Sequence, residues 1–185
     1  MIVRKFLLYL IIWTFSESSY ANMKEIKEFS ISEVNDFWNK KIEYKKENNI
    51  DIWQNPKETW ELKTGDCEDF AIAKYYDLID LGVDKEKLSL LWVIMNNPIY
   101  INRKKESHIV LLYEKDNNQW VLDNYSSEIV PLSSRSDFLI KVAVLNHKGV
   151  NFLVKKSKHI EKKWNKIIKE SDKNIAFIKN LENDN

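Results

Sequence analysis

Gly82 divides this sequence into two kinds of hydrophobic pattern, and the division limits the folds that the chain can adopt. Before Gly82, apolar residues recur at helical spacing over 30–48 and over 66–81. After it come short apolar runs separated by polar turns, as is typical of β-strands, over 88–95, 109–113, 120–122, 129–130, 138–145 and 150–154. Beyond Lys155 the spacing predicts one or two amphipathic helices. This order of helices, mostly antiparallel strands and a helical tail indicates an α+β fold.

Two stretches lack a regular pattern. The segment 51–64 is predicted to be irregular, with Trp53 and Trp60 as packing points. The segment 96–106 is predicted to be a polar loop. The chain has 185 residues and shows no internal repeat or linker, so we expect a single domain.

The first 21 residues have the pattern of a secretory signal peptide. Arg4 and Lys5 precede a mostly apolar run over 6–15, and a polar segment that ends in small residues follows. Spanning a bilayer takes roughly 20 apolar residues, so this run is too short for a membrane anchor. We therefore expect cleavage after Ala21, export of the domain 22–185, and a mature protein that is not embedded in a membrane.

The charge balance argues against nucleic acid as a partner. The chain carries 29 basic and 28 acidic residues, for a formal net charge of +1. Proteins that bind nucleic acid show a basic footprint on one face or along one helix. We therefore expect no nucleic-acid partner.

Cys67 is the only cysteine, which excludes an intrachain disulfide and a cysteine-based zinc cluster. It lies in the sequence Gly65-Asp66-Cys67-Glu68-Asp69-Phe70, at the predicted start of the helix 66–81. Asp66 is a good N-cap, and Asp69 is placed to complete a capping box. Cys67 then occupies the first helical position, where the free N–H groups and the helix dipole favour a thiolate. The pattern therefore predicts a reactive nucleophile.

A catalytic thiolate needs a base, and the chain has three histidines. His147 lies in a predicted turn and His159 in a lysine-rich helix, so both are expected at the surface. His108 opens an apolar strand, and Asp123 ends the next strand of a predicted hairpin. These positions make His108 the candidate base and Asp123 the candidate acid that orients it.

The hairpin loop decides whether His108 and Asp123 can meet. A two-residue loop at 115–116 places them opposite each other, and a four-residue loop at 115–118 makes them diagonal neighbours on one face. A three-residue loop would separate them. Either of the first two registers allows a triad of nucleophile, base and orienting acid. The order Cys67, His108, Asp123, with the helix first and the hairpin second, is that of papain and the transglutaminases.

Three longer motifs extend this likeness to a family. They are Trp53-x-x-Pro56-x-Glu58-Thr59, the stretch from Gly65 to Tyr75 followed by Leu81-Gly82-Val83, and the pair Ser107-His108-Ile109-Val110-Leu111 and Val121-Leu122-Asp123-Asn124. Over roughly residues 30–155 the sequence resembles the bacterial transglutaminase-like cysteine proteases of the LapG type. The resemblance implies a papain/transglutaminase-like α+β fold. In that fold an N-terminal helical lobe packs its catalytic helix on an antiparallel sheet, and a helical C-terminal tail follows.

The resemblance also implies a function. Family members are periplasmic, calcium-dependent endopeptidases that cut a large outer-membrane-tethered adhesin near its N-terminus, at an Ala-Ala-type site. Cleavage releases the adhesin and disperses the biofilm, and an inner-membrane receptor for cyclic di-GMP sequesters the protease. By matching positions, Cys67, His108 and Asp123 take the catalytic roles. Asp66 and Glu68 take the calcium roles, with Asp69 as a further candidate ligand.

A physical argument is consistent with calcium at this position. Three carboxylates beside Cys67 raise the pKa of its thiol and oppose thiolate formation. A hard divalent cation that takes oxygen ligands from these carboxylates reverses the effect. The alternative is that Asp66 and Asp69 only cap the helix and that Glu68 is solvated.

Two other functions remain open at this stage. The same triad serves transglutaminases and acyltransferases, in which an amine instead of water resolves the thioester. In the second alternative, the chain is a calcium-dependent interaction module without catalytic activity. Trp53, Trp60, Trp92 or the helical tail would then contact a partner. An amine-donor assay separates the first alternative from a protease, and a thiol-directed activity probe separates the second.

Overall fold

The computed structural model describes the backbone over residues 31–46, 51–96 and 105–183, and the side chains of these segments up to Ser171. The predicted signal peptide 1–21 lies outside the described residues, as does most of the predicted loop 96–106. Within the described part, no helix is long and apolar enough to cross a membrane.

Four α-helices are described. They are α1 over 31–41, α2 (Pro56–Leu62), α3 (Cys67–Asp80) and α4 (Lys158–Asn183). The helix predicted over 30–48 ends earlier than expected, because the chain then forms a short strand β1 (Glu43–Tyr44) that pairs in parallel with β2 (Thr64–Gly65). This pairing places the segment just before α3 against the end of α1.

Helix α2 lies within the segment that was predicted to be irregular, so that prediction was wrong. Asn55 caps the helix: its side chain accepts a hydrogen bond from the Glu58 N–H at 3.1 Å, and its own N–H donates to the Glu58 carboxylate at 2.8 Å. Pro56 occupies the first turn, where a missing N–H costs nothing. This capping box is visible in the sequence, but α2 is too short to show a hydrophobic period.

The end of α3 agrees with the prediction from Gly82. The helix ends at Asp80, and Gly82 adopts a left-handed conformation with φ +82°. The Val83 N–H then donates to the Leu78 carbonyl at 2.9 Å, which closes the helix in the way that glycine favours after a C-terminus.

Six strands form one antiparallel sheet in the order β6-β5-β4-β3-β7-β8. Their bounds are β3 (Leu88–Asn96), β4 (Lys105–Lys115), β5 (Asn118–Asp123), β6 (Ser126–Pro131), β7 (Phe138–Asn146) and β8 (Gly149–Phe152). Helix α3 packs against β4, near the centre of the sheet. The predicted α+β class is confirmed, because a helical N-terminal part lies on an antiparallel sheet and a helix follows it.

A continuous apolar core joins the helices to one face of the sheet. Phe70 and Ile72 of α3 are buried together with Ile109 and Leu111 of β4. Trp164 of α4 is fully buried in the same core. The long C-terminal helix is therefore packed on the body of the protein.

Candidate active site

Cys67 occupies the first position of α3, directly after the short strand β2. Gly65 is required two residues earlier, since a Cβ there would lie 2.8 Å from the Cβ of Asp69. The Asp69 carboxylate accepts hydrogen bonds from the N–H of Asp66 at 3.1 Å and from that of Gln54 at 2.8 Å. Asp69 thus fixes the entry to the helix, and with it the position of Cys67.

The Cys67 thiol is buried and lies beside an acid. Its Sγ donates a hydrogen bond to Oε2 of Glu68 at 3.2 Å. Burial raises the pKa of Cys67 well above its usual value, the charges of Glu68 and Asp66 raise it further, and a hydrogen bond from the Ile109 backbone N–H opposes the increase. The lowering expected from the helix N-terminus is therefore outweighed by desolvation and by the neighbouring carboxyl groups.

The hairpin has the register that brings His108 and Asp123 onto one face. Glu114 pairs with Gln119, which is the register predicted for the four-residue loop. Lys115 also pairs with Asn118, so the turn itself contains only Asp116 and Asn117. Both turn residues have positive φ, which suits a tight hairpin turn. His108 and Asp123 are diagonal neighbours, and Nε2 of His108 lies 2.9 Å from Oδ1 of Asp123.

Asp123 is held in its ionised form. Burial alone would raise its pKa, but hydrogen bonds from His108, the Tyr125 backbone N–H and Arg135 hold the pKa well below the usual range. The Arg135 Nη1 lies 2.8 Å from Oδ2 of Asp123. An ionised Asp123 can only accept, so Nε2 of His108 is the donor and Nδ1 is left as the basic nitrogen.

The sulfur and the imidazole come from neighbouring positions across the helix–sheet interface. The Ile109 backbone N–H, which faces the Cys67 sulfur, belongs to the residue that follows His108 in β4. Both Cys67 and His108 are buried. Cys67, His108 and Asp123 thus offer a thiol, an imidazole and a carboxylate, which are the groups that acyl transfer through a covalent intermediate requires.

Three residues that support this arrangement were not predicted. Tyr125 stacks flat on the imidazole of His108, with ring centroids 4.7 Å apart and an interplanar angle of 3°. Arg135 joins Asp123 to Asp137, and Asn39 of α1 donates to the Asp123 carbonyl at 2.9 Å. Of these, only Tyr125 had a signal in the sequence, since the four-residue loop register places it opposite His108.

Removing the charge on Arg135 is expected to weaken both the fold and the site. In Arg135→Ala the buried Asp123 carboxylate loses one of its partners, so we expect the free energy of unfolding to fall by about 2–4 kcal/mol. We also expect peptidase activity to fall about tenfold, because the acid that orients His108 is less well held. Urea titration and initial cleavage rates measure these effects. Arg135→Lys keeps the charge but not the planar guanidinium, so its stability and activity should lie between those of the wild type and of Arg135→Ala. Wild-type stability and activity in Arg135→Ala would contradict the role assigned to Arg135.

Acidic side chains surround Cys67. Ligand atoms of Asp66, Cys67 and Glu68 all lie within 4.8 Å of one another. Burial raises the pKa of Glu68 to about 10, with further contributions from the charge of Asp66 and from hydrogen bonds to Asp66 and Asp51. Closely spaced carboxylates of this kind can hold a hard cation through oxygen. Asp51 was not predicted as part of this group.

The other two histidines lie elsewhere. Nε2 of His147 is 2.8 Å from Oε1 of Glu86, and the His147 side chain is 18% exposed. His147 is thus more buried than expected. His159 is exposed on α4, as predicted.

Comparisons with known proteins place this geometry in a family. The sequence model of one family, the bacterial transglutaminase-like cysteine proteinases, matches residues 14–172 of this chain. Among solved structures, Legionella pneumophila LapG is 27% identical with a TM-score of 0.66, and the match covers 78% of each chain. Its calcium-bound form is 26% identical with a TM-score of 0.64, covering 77% of this chain and 79% of that one. Its EGTA-treated form is 26% identical with a TM-score of 0.65, covering 78% of each. The comparison with curated proteins gave no match.

The range that matches the family model contains Cys67, His108 and Asp123, so the family and the geometry point to the same part of the chain. This chain therefore belongs to the bacterial transglutaminase-like cysteine proteinases and is a cysteine protease of the LapG type.

Proposed function

We propose that this protein is a periplasmic, calcium-dependent cysteine endopeptidase that cuts a large cell-surface adhesin near its N-terminus, at an Ala-Ala-type site. Its activity would release the adhesin and promote biofilm dispersal, under the control of an inner-membrane cyclic di-GMP receptor. The observation that carries the endopeptidase chemistry is the buried pair His108–Asp123, at 2.9 Å, beside the position of Cys67. The family resemblance supports the substrate, the receptor and the periplasmic location.

In the proposed mechanism, Nδ1 of His108 takes the proton from the Cys67 thiol as the sulfur attacks the scissile carbonyl. A C–S bond forms, the C–N bond breaks, and the imidazolium returns its proton to the leaving amine. The same nitrogen then takes a proton from a water molecule that attacks the thioester, the C–S bond breaks, and the proton returns to the Cys67 sulfur. Asp123 orients the ring and holds the neutral imidazole in the tautomer with a basic Nδ1. The Cys67 backbone N–H, free at the start of α3, is a donor for the developing oxyanion.

The residues present fit a calcium ion. Asp66 and Glu68 offer oxygens within 4.8 Å of each other, and Asp51 hydrogen-bonds to Glu68. Burial raises the pKa of Glu68 to about 10, and the neighbouring acidic groups, Asp66 first, raise it further. Bound calcium would supply positive charge that keeps the carboxylates ionised and favours the Cys67 thiolate. The existence of calcium-bound and EGTA-treated structures of LapG supports this assignment.

The first test is cleavage of an adhesin fragment. The mature protein, residues 22–185, is incubated with an N-terminal adhesin fragment that contains an Ala-Ala site, with and without a primary amine donor. We expect two fragments and no incorporation of amine, because a protease resolves the thioester with water. Amine incorporation without cleavage would instead identify an acyltransferase.

Chelation is the second test. We expect EGTA to suppress cleavage and calcium, but not magnesium, to restore it, since magnesium requires a near-ideal octahedron and loses water reluctantly. Glu68→Gln should lower activity about 10–100-fold at limiting calcium, as is usual when a metal site is weakened. Glu61→Gln makes the same change on an exposed side chain and serves as the control. Full activity in EGTA would contradict the calcium role.

A further inference from the structure

Helix α4 carries a lysine to the acidic group beside Cys67. The Lys163 ammonium forms an ion pair with Oδ2 of Asp51, and the Lys163 side chain is only 12% exposed. Its Nζ lies 5.6 Å from the centre of the Trp53 ring. A cation with so little exposure, on an element that the proposed chemistry does not use, requires an explanation.

The packing of α4 fixes where this ammonium lies. The adjacent Trp164 is fully buried, and its ring centroid is 6.5 Å from that of Trp53 and 5.8 Å from that of Tyr75. Its indole N–H donates to the Asn146 carbonyl at 2.8 Å. Because Trp164 is held by the core and by the sheet, Lys163 is presented to Asp51 from a fixed helix.

Asp51 links the lysine to the residues around the thiol. Its carboxylate contacts Lys163 and also hydrogen-bonds to Glu68. Glu68 in turn contacts Asp66 and the Cys67 sulfur. The ammonium of Lys163 therefore supplies positive charge to Asp51, which hydrogen-bonds to Glu68, one of the carboxylates proposed to bind calcium.

We infer that Lys163 is a tethered cation that competes with calcium for Asp51 and Glu68, so that the C-terminal helix sets the calcium affinity of the active site. This inference rests on the proposed calcium site. In the calcium-free protein the ammonium stabilises the carboxylates. When calcium binds, the like charge of Lys163 repels the ion, and the ion pair with Asp51 weakens.

The direction in which calcium affinity changes when Lys163 is neutralised distinguishes a competing cation from a residue that orients Asp51. A competing ammonium lowers calcium affinity, so replacing it with a neutral side chain should tighten binding. One charge a few ångströms from a divalent ion in a partly solvated site corresponds to about a tenfold change. If Lys163 instead orients Asp51 as a ligand, its removal should weaken binding.

The experiment measures calcium binding to the mature protein by isothermal titration calorimetry, independently of activity. We expect the Kd for calcium to fall about tenfold in Lys163→Met and Lys163→Gln. Lys163→Met replaces the ammonium with an uncharged side chain of similar length. Lys163→Arg preserves the charge and should keep the wild-type Kd. Lys162→Gln removes the same charge from an exposed position one residue away and should also leave Kd unchanged.

Thermal unfolding provides a second readout. Compared with wild type, the neutral variants should unfold at lower temperature in EGTA and gain more from added calcium, since tighter binding stabilises the folded state further. If the wild type binds calcium and both neutral variants bind it equally or more weakly, the inference about Lys163 is wrong, whereas the proposed calcium dependence stands. Absence of calcium binding by the wild type would overturn both this inference and the proposed calcium dependence.

Discussion

Cys67→Ala is expected to reduce peptide cleavage by a factor on the order of 10⁵–10⁶, to the background rate, because the mechanism loses its nucleophile. The fold should survive, with a loss of about 1 kcal/mol or less, because only one small buried side chain is truncated. Initial rates with an adhesin fragment and a urea titration measure the two effects.

Calcium binding distinguishes loss of the nucleophile from loss of the site. Cys67→Ala keeps Asp51, Asp66 and Glu68, so calorimetry should still detect calcium binding. A thiol-directed probe should label the wild type at Cys67 and leave the variant unlabelled. Residual cleavage near the wild-type rate would show that Cys67 is not the nucleophile.

His108→Ala is the second large expected effect. Without the imidazole, no base at the interface takes the thiol proton, and we expect cleavage to fall by a factor on the order of 10⁴–10⁶. The protein should remain folded, because Asp123 keeps its bonds to Arg135 and to the Tyr125 N–H. Initial rates and circular dichroism provide the measurements.

The other histidines are matched controls for His108. His147→Ala removes a contact with Glu86, and His159→Ala removes an exposed side chain of α4. Both variants should retain activity within about twofold. A loss comparable with that of His108→Ala in either variant would exclude the proposed triad.

Local sequence patterns were sufficient for much of the fold. The helix that starts at Cys67 and ends before Gly82 was predicted, because a capping position, a helical period and a terminating glycine are all local signals. The strands were found for the same reason. Helix α2 was missed because its capping box at Asn55 is followed by too few apolar residues to form a period.

The sequence allowed two strand registers in which His108 and Asp123 can meet. The structure shows which of the two the hairpin adopts. The apolar runs place both residues at the ends of predicted strands, although β4 in fact begins three residues before His108. A loop that is one residue longer or shorter shifts the partner strand and exchanges its faces. Asp116 and Asn117 adopt positive φ and select the diagonal register. The same register brings Tyr125 over the imidazole.

Several residues that the sequence did not reveal contact groups that are well separated from them in the chain. Arg135 reaches Asp123, and Lys163 reaches Asp51, only after the sheet and α4 have packed. The pKa of Cys67 shows the same limit: its position at a helix start is local and favours a thiolate, whereas burial and Glu68 raise the pKa. The sequence by itself determined which helix and which hairpin carry the proposed triad, because these depend on short-range patterns. Tertiary packing decided the charge environment and the supporting contacts of these residues, because desolvation and ion pairing depend on residues that are distant in the chain.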